Sequence, residues 1–169
     1  AALDALQDRL EDMNVAAWPR DRQVDWLAVR SRLDQQAFLL RFQRPWARDP
    51  GFYVDQMLRV TFTELPVNGE ALQTLQARLR AVPVLVSEAR DNLDDVAADY
   101  ADLAIFNLSN SDGVGHGYPY RTEPPPGVLG WYGDFRSRAE TEQPELLPVI
   151  DAAHAAVRDF DQWLRDRRQ

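Results

Sequence analysis

Apolar residues recur along this chain at steps of three and four, and no segment alternates polar with apolar long enough to make a strand. Leu3, Leu6, Leu10 and Met13 predict a first helix that stops before Pro19. Asp21 is placed to cap a second, long helix reaching Arg44, with Trp26, Val29, Leu33, Ala37 and Leu40 turned inward. Phe38, Leu39 and Phe42 widen its apolar sector, so this helix is expected to be central. Asp49 before Pro50 reads as an N-cap and an N1 proline. They open a third helix whose face carries Val54, Met57 or Leu58, Thr61 or Phe62, and Leu65, until Pro66 ends it.

Beyond the turn at 67–69, Leu72, Leu75, Leu79 and Val82 form a helical stripe that meets Pro83 and resumes through Leu85, Ala89 and Leu93. A proline inside such a stripe predicts a kink or a junction between two helices. Asp94 or Asp95 is a cap for the next helix, with Val96, Tyr100, Leu103 and Phe106 on its apolar face. From Ser109 to Gly127 the periodicity collapses into four glycines and four prolines, the signature of a long loop. Leu129, Tyr132, Phe135 and Arg136 fit a helix over 128–142, although Gly130 and Gly133 weaken it. Ile150, Ala153, Val157, Phe160 and Leu164 give the most regular helix of the chain. The expected fold is therefore all-α: a bundle of about seven or eight amphipathic helices with one long Gly/Pro-rich loop (109–127), forming a single helical domain over 1–169.

Composition narrows the partners. The 169 residues carry a formal charge of −8, which repels nucleic-acid phosphates and anionic membrane surfaces. Every one of the 19 basic residues is Arg, a pattern that reads as GC-rich bacterial coding and not as a binding device. The absence of cysteine excludes disulfides, thiolate metal sites and a Cys nucleophile, and leaves the compartment open. No apolar run approaches the roughly 18 residues a membrane span needs. A start at Ala1 without Met suggests processing, and the end in the uncapped DFDQWLRDRRQ suggests a natural chain that continues.

Chemistry is sparse. His116 is followed by Gly117 and His154 by Ala155, so neither has the second ligand four residues away and the Glu that a helical zinc site uses. Asp151 and His154 lie one turn apart and could offer two ligands, yet a helix-flank histidine beside a solvated carboxylate is the better explanation. The glycines at 113, 115 and 117 lack the strand, helix and basic partner of a phosphate loop. Asn110 to Gly113 lacks the downstream acids of a calcium loop. Asp94/Asp95 and Asp99/Asp102 read as capping and surface charge. His116, Tyr118, Tyr120 and Arg121, with Trp131 and Tyr132 nearby, are the candidate contacts for a peptide terminus or an anionic group. Packing of the loop onto the helical body is the favoured reading of the same aromatics. No catalytic, cofactor-binding or metal residue is assigned.

Two segments together resemble a known family. Trp46, Asp49, Pro50 and Tyr53 match a W-x-x-D-P-x-x-Y segment at the end of a long helix. Arg78, Leu79, Val82, Pro83, Leu85, Ala89, Arg90, Asn92 and Leu93 match an R-L-x-x-[IV]-P-x-L-x-x-A-[RK]-x-N-L segment. In this order and spacing they resemble the N-terminal region of the bacterial family catalogued as domain of unknown function eight-eight-five. The likeness covers residues 3–108 well and 128–169 loosely. It implies a long helical protein similar to zinc carboxypeptidases, whose His-Glu-x-x-Pro-Gly-His signature would lie downstream. Neither histidine here precedes a Glu, so no catalytic residue carries over.

The resemblance implies a non-catalytic helical region forming a wall or lid of a substrate cleft, with zinc supplied by later sequence and no cofactor in this chain. Its partners would be the remainder of its own polypeptide, or a second copy through an exposed apolar face, and a peptide substrate. The alternative is a free-standing helical binding module that uses the 109–127 loop. A small catalyst built on His154 and Asp151 ranks last.

Overall fold

In the computed structural model, which describes residues 2–110 and 125–168, the spacing of Leu3, Leu6 and Leu10 is realised as helix α1 (Ala2–Glu11). A 3-10 turn at Val15–Ala17 leads into α2 (Arg20–Phe38), which continues as a π turn over Leu39–Gln43. Pro19, not Asp21, stands at the N-cap of α2. Arg44 adopts a left-handed φ of 46° and donates its N–H to the Leu39 carbonyl, which ends the helix just before Pro45. These elements make the first of two compact units, Ala1–Pro45, with Trp46–Gln169 as the second.

Within the first unit α1 packs on α2. The Trp26 indole N–H donates to the Leu10 carbonyl at 3.0 Å, and Asp4 pairs with Arg41. The expected inward face of α2 is only partly covered. Ala37 is buried and Trp26 and Leu33 are half-buried, while Val29 and Leu40 remain exposed. Phe38 and Phe42 stack on each other at 5.6 Å and are also exposed, so α2 does not occupy a core. A ten-residue helix is too short to cover an apolar sector spread from Trp26 to Phe42.

The second unit begins with a short helix, α3 (Pro45–Arg48), at the boundary. It continues with α4 (Gly51–Leu58) and a 3-10 turn at Arg59–Phe62. The remaining helices are α5 (Gly69–Asn92), α6 (Ala98–Ser109), α7 (Gly127–Glu142) and α8 (Leu147–Arg167). Helix is the only regular structure among the described residues, and the fold is all-α. Helix α8 packs on α5 and α7, and α7 packs on α4 and α6. The core follows the sequence stripe on α8 residue for residue: Ile150, Ala153, Val157, Phe160 and Leu164 are all buried. Each large side chain so buried contributes about 1.5–3 kcal/mol.

Helix α5 runs as one element through Pro83 instead of breaking into two. Its buried stripe is Leu75, Leu79, Val82, Val86, Ala89 and Leu93, with Val86 in place of the expected Leu85. Those steps of four and three are continuous, so packing against α8 along the whole stripe offsets the hydrogen bond that proline removes.

Helix α6 presents a different face from the one its large residues predict. Ala101, Ala104 and Leu108 are buried, whereas Tyr100, Leu103 and Phe106 are 48%, 57% and 51% exposed. Ala97 holds the N-cap and no side chain caps it, so neither Asp94 nor Asp95 serves there. Both stripes have helical spacing. The stripe with the smaller side chains is the one that packs inward, where α7 brings Trp131, Tyr132 and Phe135 to the core.

Two side chains of α7 and its C-cap hold the segment between α4 and α5. Arg138 donates to the carbonyls of Thr63 and Thr61 at 2.8 and 2.6 Å. The buried Gln143 accepts from Val67 N–H at 2.9 Å and donates to Val67 O at 2.8 Å. Gln143→Leu would leave both Val67 groups unpaired and is expected to cost about 2–4 kcal/mol in a urea titration. A loss below about 0.5 kcal/mol would show that the two bonds are dispensable.

Candidate functional site

An open groove lies between the end of α4 and α5. Gln56 and then Arg59 and Val60 lie one turn apart and share a side at the end of α4. On α5, Arg78, Ala81, Leu85 and Glu88 repeat at steps of three and four, beside the stripe that faces α8. The space between them is about 710 Å³, within the range of small-molecule sites. Val60, Val82 and Leu85 line it with apolar surface, and three charged groups line it as well.

These charges, like Arg158, have no bonded partner among the described residues. Most arginines of this unit are bonded: Arg48 to Asp95 at 3.1 Å, Arg136 to Asp151 at 2.8 Å, Arg168 to Asp102 at 2.6 Å, Arg90 to the Asp159 carbonyl at 2.7 Å. Arg59 and Arg78 have no ion pair or side-chain hydrogen bond among the described residues. Glu88 is the third charge, and its field reaches Tyr53. Burial pushes the Tyr53 phenol above its ordinary value and Glu88 adds to that, against a hydrogen bond from Asn92.

Tyr53 belongs to a tightly bonded corner. Its hydroxyl donates to the Trp46 carbonyl at 2.8 Å, and Asp49 Oδ1 accepts from Gly51 N–H at 2.8 Å, although the N-cap position of α4 falls on Pro50 and not on Asp49. The Asp95 N–H donates to Ala47 O at 3.1 Å. The W-x-x-D-P-x-x-Y segment and the end of the α5 segment are thus tied to each other by structural bonds.

The contacts proposed from sequence at His116, Tyr118, Tyr120 and Arg121, and most of the 109–127 loop, lie outside the described residues. Their neighbours Trp131 and Tyr132 are core residues at 3% and 0% exposure and form no recognition surface. The Tyr132 hydroxyl donates to Met57 O at 2.9 Å, and burial raises its pKa strongly. His154 is half-buried and stacks on Tyr132 at 5.7 Å. Asp151, its imagined co-ligand, is engaged by Arg136. Among the described residues no group of three His, Cys, Asp or Glu side chains could hold a metal ion.

Burial lowers the His154 pKa, and the positive charge of Arg158 adds to it, with Asp151 opposing. A histidine kept neutral in the fold contributes stability that is complete above its unfolded pKa near 6.5 and declines as pH falls toward its lower folded value. His154→Phe should keep the stack and flatten stability between pH 7 and 5. The denaturation midpoint measured across that window checks it; an unchanged slope would contradict the assignment.

Sequence reasoning missed Arg59 and Arg78, because an arginine on a polar helix face carries no signal of whether a carboxylate will meet it. No family model, no curated protein and no solved structure matches this chain.

Proposed function

We propose that this chain is a non-catalytic helical region of a zinc-metallopeptidase-like hydrolase, forming a wall or lid of its substrate cleft. The observation that carries the reading is the apolar face of α6. Tyr100, Leu103 and Phe106 repeat at steps of three and are about half exposed, which is the profile of a helix with a surface still to cover. The two signature segments support it from the other side, since their bonded residues act as framework. The remainder of the polypeptide would cover the α6 face and supply the zinc, which as a Lewis acid with a Glu-activated water would carry the hydrolysis. No residue of this chain is assigned a step.

The reading frame beyond Gln169 tests the proposal. A frame that continues for hundreds of residues and encodes His-Glu-x-x-Pro-Gly-His is the expected result. A stop codon directly after Gln169 would overturn it and favour a free-standing helical binding module. Leu103→Asp with Phe106→Asp should change the stability of the chain by less than about 0.5 kcal/mol, because both side chains already face solvent. The same pair should abolish association with the downstream part in a pull-down.

A further inference from the structure

The groove between α4 and α5 joins three features that the scaffold does not require. Arg59 and Arg78 are two guanidiniums without partners in a protein that carries 27 acidic residues. Val60, Val82 and Leu85 give an apolar lining beside them. Glu88 is the single acid of the lining, so two positive charges against one negative leave the groove with one net positive charge. A smaller groove of about 230 Å³ near the end of α8 makes the contrast. There Arg167 lies over the Trp163 ring at 5.1 Å and Arg168 pairs with Asp102, so its charges are already used.

We infer that the α4–α5 groove is a binding site for a carboxylate with an apolar body. The guanidiniums of Arg59 and Arg78 take the carboxylate, since the planar fork of Arg matches its two oxygens. The apolar body lies on Val60, Val82 and Leu85. Glu88 accepts an N–H from the ligand and repels a second anionic group, which makes the site selective for a monoanion. Nothing else in the overall charge of −8 draws an anion here, so recognition depends on these two side chains and weakens with salt. Carboxylate binding is independent of the metallopeptidase reading, and either can fail without the other.

N-acetyl-leucine is a suitable probe, with N-acetyl-leucinamide as its uncharged twin, titrated into the full 169-residue chain and followed by amide NMR. The expected result is saturable shifts at Arg59, Val60, Ala81 and Leu85, with the amide at least tenfold weaker. Arg59→Gln with Arg78→Gln should weaken N-acetyl-leucine at least tenfold while the far-ultraviolet dichroism is unchanged. Ala81→Trp, which fills the groove and alters no charge, should abolish binding. Equal binding of acid and amide by the unaltered protein would overturn the inference, as would the absence of saturable shifts at these residues.

Discussion

Phe135→Ala is expected to remove about 3–5 kcal/mol of folding stability. Phe135 is fully buried on α7, the helix that touches α4, α6 and α8, and the Arg138 guanidinium lies 5.0 Å from its ring centre. Truncation opens a cavity at the one place where most of the unit converges. It also removes the surface beneath Arg138, whose bonds to Thr61 and Thr63 hold the segment between α4 and α5. A domain has only about 5–15 kcal/mol in total, so this single change should leave a large unfolded fraction on mild heating. Urea unfolding followed by tryptophan fluorescence measures it. A loss below 1 kcal/mol would mean that the core is not centred on α7.

The second large effect belongs to a glycine. Gly127, the first residue of α7, has φ of 66°, and a Cβ there would sit 2.5 Å from the Leu108 carbonyl oxygen. Gly127→Ala therefore combines a left-handed penalty of about 1–2 kcal/mol with a backbone clash that cannot be relieved by a rotamer change. The expected cost is on the order of 3 kcal/mol. Gly133→Ala is the matched control, in the middle of the same helix with nothing within 4 Å of the added carbon. It should stabilise by about 0.5–1 kcal/mol. Opposite signs for two Gly→Ala changes six residues apart would establish that Gly127 lies against the Leu108 carbonyl as described. Equal effects would contradict it.

Where one face of a helix is apolar and the other polar, as on α8, the spacing alone identifies the buried residues. On α5 it also predicts the stripe, and only the consequence of Pro83 differs. On α6 two apolar stripes compete, one of Ala101, Ala104 and Leu108 and one of Tyr100, Leu103 and Phe106, and the first is the one buried against its neighbours. A periodicity within one segment contains no information about the bulk of another. The same limit explains α2, whose wide apolar sector predicts a core position although Phe38 and Phe42 are exposed.

The candidate site was less legible than the fold. Trp131 and Tyr132 beside a Gly/Pro-rich segment suggest a recognition surface, yet their rings fill the core and the Tyr132 hydroxyl is satisfied by Met57. Arg59 and Arg78 stand 19 positions apart with no motif to link them. Only the packing of α4 against α5 brings them to one groove. Asp49 and Tyr53, by contrast, are readable locally because each bonds within seven residues of itself.

The most direct test of the non-catalytic reading is zinc titration of the purified chain by calorimetry, with a peptide-hydrolysis assay on the same sample. No stoichiometric zinc binding and no hydrolysis is the predicted result. Tight binding of one zinc per chain together with peptidase activity, both lost in His154→Ala, would contradict it.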